Sequence, residues 1–267
     1  MKKYNRAVIY VIAHQDDWQL FMNPEVGNDI RDPNCKTVLI HTTAGDAGRD
    51  RKYWMARESG AAASVTFNLS INQAFSDSLK WKMINKKKVF YTQVASCFCY
   101  FLRLPDGAYD GDGFQMYGYQ SLMKLKMKHV LGLKTVDEEN YYASWSELVG
   151  VVEGIIREDL TDVGHLVTLN MLEPDATINP QDHSDHHYSS LLLADTCFYN
   201  IYTKRAFLTY STYYKDRNLA GKDLVWKVGM FTAYHWEILK DVGHSTIAES
   251  DDFFEWATRA AYYREIE

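Results

Sequence analysis

Continuous apolar runs alternate along this chain with segments whose apolar residues recur at helical spacing. Residues 7–13 and 37–43 are runs typical of strands buried inside a parallel sheet, and residues 165–171 form a third. Residues 90–104 are rich in β-branched and aromatic side chains and predict one or two further strands. Residues 207–213 are the last strand candidate.

Four other segments predict helices. Residues 144–159 have apolar positions at helical spacing, and residues 51–63 are rich in alanine. Residues 185–199 and 223–239 are also expected to be helical. Since strands that alternate with helices form a parallel sheet covered on both faces, the pattern predicts an α/β fold. The chain contains no repeat or linker, so we expect one domain over residues 1–267.

Composition narrows the function classes. A net charge of −6 argues against a nucleic-acid-binding surface, which usually makes a domain basic. No apolar stretch approaches the ~20 residues that span a bilayer, and the first apolar run is followed by no signal-peptide cleavage site, so a cytoplasmic protein is expected. The four cysteines are too sparse for a disulfide framework. Cys97 and Cys99 alternate as in a strand and are expected to be reduced core residues.

Two polar clusters follow predicted strands. His14, Asp16 and Asp17 come directly after the first strand, and the sequence His-Ser-Asp-His at residues 183–186 comes after the strand at 165–171. Ligands of open α/β sheets bind beyond the carboxyl ends of the strands, so these clusters are expected to meet at one edge of the sheet. The pattern predicts a metal site there.

The residue types suit a hydrolytic metal. A catalytic zinc takes three protein ligands and keeps one position for water, whose pKa it lowers to about 7. His14, Asp17 and His186 supply such a set. Zinc is the metal expected for His and carboxylate ligands, while iron and other divalent ions accept similar ligands.

Three neighbouring side chains suit supporting roles. Asp16 fits a general base that takes a proton from water and returns it to a leaving amine. His183 fits a donor to the oxyanion formed on the attacked carbonyl. Asp185 fits a carboxylate that orients a histidine ring.

Other interpretations of these residues stay open. Acidic residues at positions 16 and 17 are also favourable at the start of a helix, and residues 183–187 are also typical of a polar helix start. The Gly-Asp-Ala-Gly loop at 45–48 lacks the full phosphate-binding glycine pattern and is expected to be a tight turn near the site. His41, inside the second strand, is expected to be a core residue.

Two motifs resemble those of the PIG-L/LmbE family of metal-dependent N-deacetylases, which act mainly on N-acetylglucosamine-type sugars and related amides. The family's Ala-His-Pro-Asp-Asp-Glu appears at residues 13–18 as Ala-His-Gln-Asp-Asp-Trp, and its His-Pro-Asp-His appears at 183–186 as His-Ser-Asp-His. Weaker likenesses lie at residues 42–48, 57–58 and 104–107. Together the matches run in the expected order over about two-thirds of the chain.

The resemblance implies a Rossmann-like three-layer α/β/α sandwich with a mostly parallel sheet. It implies zinc bound by His14, Asp17 and His186, and it disfavours His187 as a rival ligand. Asp16 would be the catalytic base and acid, with His183 and Asp185 in support.

The resemblance also marks three substrate-binding candidates. Asp106 lies in a segment similar to one that borders the family's pocket, and Arg57 lies in a segment that resembles the family's Arg-Glu helix. Trp18 stands where the family has Glu and is a candidate wall of the pocket. The departures at Gln15, Trp18 and Ser184 leave substrate class and rate open.

The expected function is that of a zinc-dependent hydrolase that removes an N-acyl group, foremost acetyl, from an amino sugar or glycoconjugate. The alternative is a catalytically impaired metal- or carbohydrate-binding protein of the same fold. Phosphoester hydrolysis ranks below both, because such sites often use two metals and ligands for one are counted here. The expected partner is a small molecule, while the exact substrate, native metal and oligomeric state stay open.

Overall fold

A computed structural model describes residues 3–69, 79–244 and 246–266. The strands in this part of the chain are β1 (Tyr4–Ile12), β2 (Cys35–Thr43), β3 (Lys80–Ile84), β4 (Lys87–Val94), β5 (Cys97–Leu104), β6 (Leu133–Lys134), β7 (Tyr141–Tyr142), β8 (Val163–Leu172), β9 (Thr203–Phe207) and β10 (Tyr263–Ile266). The α-helices are α1 (Asp17–Phe21), α2 (Glu25–Arg31), α3 (Arg51–Leu69), α4 (Leu122–Lys126), α5 (Trp145–Asp159), α6 (Ser184–Ala194), α7 (Gly221–Val242) and α8 (Asp252–Ala257). Short 3₁₀ helices span Gln115–Tyr117, Tyr210–Tyr214 and Thr246–Glu249.

The large sheet contains eight of the described strands, in the order β10-β9-β8-β1-β2-β5-β4-β3. The five central strands, β9, β8, β1, β2 and β5, run parallel to one another. Antiparallel pairing is confined to the two edges, where β10 pairs with β9 and the hairpin of β3 and β4 pairs with β5. Strand β1 therefore lies near the centre of the sheet, where the first polar cluster begins.

Side chains of β1 alternate between two cores, one on each face of the sheet. Ile9 and Val11 pack with α5 and α6, whereas Val8, Tyr10 and Ile12 pack with residues of α1, α2, α3 and α7. This period of two follows from the pleat of a strand. The architecture is a Rossmann-like three-layer α/β/α sandwich with a mostly parallel sheet, which confirms the predicted fold class.

Most predicted elements are present with shifted ends. The segment at 90–104 forms two antiparallel strands, and the helix predicted at 51–63 continues to Leu69. The helix predicted at 185–199 ends at Ala194. The helix at 144–159 begins where the Ser144 hydroxyl accepts the backbone N–H of Glu147 at 3.2 Å, a helix N-cap.

One prediction is wrong. Residues 207–213 are not a strand, because β9 ends at Phe207 and the chain turns into the 3₁₀ helix Tyr210–Tyr214. Aromatic composition favours strands, but these rings instead contribute to the lining of a cavity described below. Cys97 and Cys99 are buried free thiols in the core, as expected. Among the described helices, none has the length and apolar composition needed to cross a membrane.

Candidate metal centre

Loops that follow four parallel strands meet at the carboxyl edge of the sheet. The chain leaves β1 for His14, β2 for the loop at 45–48, β5 for Asp106, and β8 for the segment that leads into α6. Backbone hydrogen bonds from Thr43 to the Ala13 carbonyl (3.1 Å) and from Ala44 to the Leu104 carbonyl (2.7 Å) tie three of these loops together. Parallel strand ends thus gather side chains that are far apart in sequence.

A first group of potential ligands joins both sequence motifs. Asp17 Oδ1 lies 3.0 Å from His186 Nε2 and 3.6 Å from His14 Nδ1. The ligand atoms of these three residues lie within 4.8 Å of one another, and all three side chains are buried. Ligand atoms around a tetrahedral zinc with bonds of roughly 2.0–2.1 Å are about 3.4 Å apart. The geometry therefore fits one divalent cation among His14, Asp17 and His186.

The orientation of Asp17 is fixed by the backbone. Its Oδ2 accepts the N–H groups of Ala13 at 3.0 Å and His14 at 2.7 Å. This leaves Oδ1 directed at the two imidazoles. Asp16 occupies the N-cap position of α1, but its carboxylate pairs with Arg57 rather than with the helix. The Asp16 side chain therefore does not cap the helix, and Asp17 is held by the loop that precedes it.

Carboxylates behind the two imidazoles determine which ring nitrogen faces Asp17. His186 Nδ1 lies 2.7 Å from Asp182 Oδ1, and His14 Nε2 lies 3.3 Å from Asp185 Oδ2. With a cation bound between the rings and Asp17, each ring would keep its proton on the nitrogen that faces Asp182 or Asp185, because a carboxylate oxygen accepts from it. The lone pairs then lie on His186 Nε2 and His14 Nδ1, as in histidines that bind a metal.

The electrostatic field at this group favours positive charge. Burial lowers the pKa of His186, but the Asp182 and Asp17 carboxylates outweigh that effect and raise it to about 10. Burial raises the pKa of Asp17, yet His186 and His14 hold it well below its usual range. Deeply buried carboxylates that keep a neighbouring ring cationic can equally stabilise a bound metal cation.

A second group shares His14 and adds Asp106, His183 and Asp185, with ligand atoms within 4.8 Å of one another. His183 carries its proton on the other nitrogen, because Nδ1 accepts the backbone N–H of Asp185 at 3.1 Å. Nε2 therefore bears the proton, 3.7 Å from Asp106 Oδ1. A protonated nitrogen cannot ligate a metal. The second group suits hydrogen bonding and proton transfer, and the first suits the metal.

Gly107 lets Asp185 approach this second group. The Gly107 N–H donates to Asp185 Oδ2 at 2.9 Å, and a Cβ at position 107 would lie only 2.5 Å from Asp185 Oδ1. His183 is also the N-cap of α6 through its bond to Asp185. Residues 183–187 thus form a polar helix start, as one interpretation of the sequence predicted. The same segment also supplies His183 and Asp185 to the second group and His186 to the first.

Asp16 is held beside the metal group by a fixed guanidinium. Arg57 pairs with Asp16, donates through Nε to the Tyr234 hydroxyl, and donates through Nη1 to the Gly45 carbonyl, the last two at 2.5 Å. Gly45 has φ of +53°, and a Cβ there would lie 2.5 Å from the Arg57 guanidinium. The turn predicted at 45–48 therefore accommodates Arg57, which in turn orients Asp16.

A cavity of about 780 Å³ opens onto both groups. Its polar lining includes His14, Asp16, Asp17, Asp106 and His183. The rest of its lining includes a set of aromatic side chains from α1, the 3₁₀ helix Tyr210–Tyr214 and α8, which we call the aromatic wall: Phe21, Tyr210, Tyr213, Tyr214, Phe253 and Trp256.

The aromatic wall is continuous with the metal centre. The Tyr210 and Trp256 rings stack at 4.9 Å between centroids with 15° between planes, and Phe21 meets Trp256 edge-on at 5.3 Å. Tyr210 also meets the His186 ring edge-on at 5.2 Å. The cavity thus combines a polar floor with an adjoining surface suited to the face of a ring.

The substrate-binding candidates have mixed outcomes. Arg57 and Asp106 line the cavity, but both face protein partners there. Trp18 is a correction, because it is fully buried in the apolar core with Tyr10, Ile12 and Met22 instead of forming a wall of the cavity. Helix α1 begins at Asp17, and the next position turns its side chain toward the sheet.

Other sequence interpretations are also resolved. The His187 ring packs against Tyr188, with centroids 5.1 Å apart, and belongs to neither group. His41 is a core residue as expected, with Nδ1 3.1 Å from the Tyr100 carbonyl. Gln15 ties the first loop to the second through a 3.1 Å bond from its Nε2 to the Thr43 carbonyl.

The sequence reasoning missed Asp182 and the aromatic wall. Asp182 directly precedes the second motif and lies four residues before His186, which places the two on the same side of a helix start. This four-residue spacing could have indicated the contact between Asp182 and His186 from the sequence alone. The aromatic wall gave no comparable signal, because its residues come from three short elements distant in sequence.

No family model matches the sequence, and no curated protein matches it either. Among solved structures, one that matches is the zinc-inhibited form of teicoplanin deacetylase Orf2, with 12% sequence identity and a TM-score of 0.44. The match covers 94% of this chain and 90% of that chain. Similarity at this level carries no argument about activity.

Proposed function

We propose that this protein is a metal-dependent hydrolase that removes an N-acetyl group from an amino sugar or glycoconjugate. The observation that carries the proposal is the placement of three buried imidazoles around one cavity. His14 Nδ1 and His186 Nε2 face Asp17 Oδ1, whereas His183, whose Nδ1 accepts a backbone N–H, directs Nε2 toward Asp106 beside the same cavity. One site therefore offers cation ligands and a hydrogen-bond donor side by side, which is the combination that amide hydrolysis needs.

The cation belongs to the first group. Zinc is the first candidate for His14, Asp17 and His186, and when bound it supplies water of lowered pKa and polarises a carbonyl. Asp182 and Asp185 hold the two imidazoles in the ligating tautomer from behind. Asp17 is held by two backbone N–H groups, so its ligating oxygen needs no reorganisation.

The proton steps belong to Asp16 and His183. Asp16 accepts a proton from the attacking water and delivers it to the amine nitrogen as the C–N bond breaks. The Arg57 guanidinium keeps the Asp16 carboxylate in one orientation throughout. His183 donates its Nε2 proton in a hydrogen bond to the carbonyl oxygen as negative charge develops there. The Asp185 backbone N–H, which donates to His183 Nδ1 at 3.1 Å, orients the ring.

Two features support a sugar substrate. The motifs at residues 13–18 and 183–186 resemble those of N-deacetylases of amino sugars. The cavity of about 780 Å³ has room for at least one ring beside the polar floor, and the aromatic wall offers faces on which a ring can pack.

One observation favours the rival function, a carbohydrate- or metal-binding protein with impaired catalysis. The Asp16 carboxylate is already paired with the Arg57 guanidinium, which competes with an attacking water for its oxygens. Binding and hydrolysis are separated by measuring acetate and free amine released from a panel of N-acetyl sugars, with metal content determined on the same samples. Absence of product from zinc-loaded protein over the whole panel contradicts the proposed hydrolase.

The assigned base has its own test. Asp16→Asn is expected to keep metal and fold while kcat falls about 10²–10⁴-fold, the usual contribution of a general base. Asp252→Asn is the matched control, since Asp252 also lines the cavity but lies in α8. Near wild-type turnover of Asp16→Asn would show that another group moves the proton.

A further inference from the structure

A buried ammonium lies beneath the aromatic wall. Lys227 of α7 is 1% exposed. Its Nζ donates to the carbonyls of Leu20 at 2.5 Å, Arg259 at 2.6 Å and Trp256 at 2.8 Å. Burial lowers the pKa of Lys227 to about 7, and the protonated form has three N–H donors, whose hydrogen bonds make a buried charge tolerable. The three carbonyls match those donors one for one.

Two of the three carbonyls that accept from Lys227 lie at the ends of short helices. Leu20 is in the last turn of α1, the helix that begins with the ligand Asp17, and Trp256 is in the last turn of α8. Positive charge is favourable at helix carboxyl ends, where carbonyls lack helical partners. Both helices also line the cavity, through Phe21 and Trp256 among others. One side chain thus joins the floor of the site to its aromatic wall.

Arg259 extends this connection to the remaining part of the wall. Its backbone carbonyl accepts from Lys227. Its guanidinium donates to the carbonyls of Tyr213 at 2.8 Å and Lys215 at 2.7 Å, around the end of the 3₁₀ helix Tyr210–Tyr214. The elements that carry the aromatic wall are therefore joined to α7 by hydrogen bonds from two buried cationic side chains.

Helix α7 also supports the catalytic base. Tyr234 lies seven residues after Lys227, two turns further on the same helix face. Its hydroxyl accepts from Arg57, the partner of Asp16. One face of α7 therefore carries both Tyr234, which contacts Arg57, and Lys227, which donates to the carbonyls beneath the aromatic wall. The helix fixes the distance between these two contacts.

We propose that Lys227 is a positioning residue for substrate specificity: it holds the aromatic wall at the distance from the metal centre that a ring attached to the scissile amide requires. The inference rests on the proposed function and extends it. Ring recognition belongs to the aromatic wall. The distance between the wall and the metal centre is set by Lys227, whose side chain does not line the cavity.

The test compares Lys227→Met with Lys222→Met, an exposed lysine on the same helix. For zinc-loaded protein, Lys227→Met is expected to raise KM for N-acetylglucosamine about tenfold with kcat changed less than about threefold. The corresponding kcat/KM for N-acetylethanolamine, which has no ring, is expected to change less than about twofold. Lys222→Met is expected to match wild type with both substrates.

Hydrogen exchange provides a readout that needs no turnover. Lys227→Met should increase exchange at Tyr210–Tyr214 and Asp252–Ala257, while α5 on the opposite face of the sheet keeps its protection. Equal losses of kcat/KM with both substrates, or increased hydrogen exchange throughout the chain, would show that Lys227 has only a general structural role. Either result would overturn the proposal. Unchanged KM and exchange would overturn it as well.

Two further outcomes have defined meanings. If Lys227→Met fails to fold, Lys227→Gln, which keeps two N–H donors, replaces it, with the same expected pattern and the same contradicting results. If wild type hydrolyses neither substrate, the proposed function fails. The positioning role is then judged by calorimetric binding of N-acetylglucosamine and by exchange, where a loss of affinity confined to Lys227 variants supports it and equal affinity overturns it.

Discussion

The metal centre and the aromatic wall border the same cavity but are built by different means. His14 and Asp17 follow the central strand β1 directly, and His186 lies in the first turn of α6, so the sheet backbone fixes them. The wall comes from three short elements whose positions depend on hydrogen bonds from Lys227 and Arg259 to backbone carbonyls. The candidate metal centre is thus anchored in the sheet, whereas the aromatic wall is anchored by two side chains outside it.

This difference predicts that the two regions fail separately. Changes at the metal centre should lower metal content and kcat, while changes at the wall should raise KM and leave the metal in place. The substitutions below test that separation, beginning with the largest expected effect.

His186→Ala should abolish metal binding and lower kcat/KM by at least about 10³-fold, because a ligand is lost and a metal contributes several kcal/mol to catalysis. Metal content and acetate release measure the two effects. His187→Ala is the control, since the adjacent ring lies outside both groups. A His186→Ala protein that retains one metal and full turnover would remove the basis of the metal centre.

Asp182→Asn should weaken metal affinity about 10–100-fold, the usual effect of losing the carboxylate behind a ligating histidine. The Asp182 contact to His186 Nδ1 at 2.7 Å fixes the tautomer that leaves Nε2 free. Competition with a chelator measures the affinity. Asp175→Asn, in the segment that joins β8 to α6, should bind metal like wild type. Equal affinity in both variants would contradict the assigned tautomer.

Trp256→Ala should raise KM for N-acetylglucosamine about tenfold through the lost stacking surface, with metal content unchanged. Trp236→Ala, which removes a 58% exposed ring on α7, should leave KM as it is. Steady-state kinetics and metal analysis distinguish the results. If Trp256→Ala lost metal instead, the two regions would not be separate.

The parts fixed by the sheet backbone are those that the sequence predicted. Residues 7–13 and 37–43 are buried on both faces, and such strands have an unambiguous apolar pattern. The ligands follow because strand ends converge in a parallel sheet. The aromatic wall was not predicted, because the aromatic composition of residues 207–213 is also typical of a strand. Trp18 was misplaced because a motif fixes a position in sequence but not the direction of a side chain.

Asp182 shows a second limit of sequence reasoning. Its proximity to His186 is visible from the four-residue spacing, but the tautomer that it fixes depends on a contact that only the folded chain supplies. The opposite proton placement on His183, set by a backbone N–H, is equally beyond a motif. Residue types therefore indicated a candidate site, whereas the hydrogen-bond partners of each ring are visible only in the folded chain.

The double engagement of His14 has a consequence for redesign. One ring nitrogen faces Asp17 and the other faces Asp185. The side chain must therefore present two nitrogens in different directions from one rigid ring. Imidazole is the only side-chain group that does so. An engineer who wishes to retune the centre for another ion should keep the imidazoles at positions 14 and 186, since His186 is also engaged at both nitrogens, and vary the carboxylate at position 17.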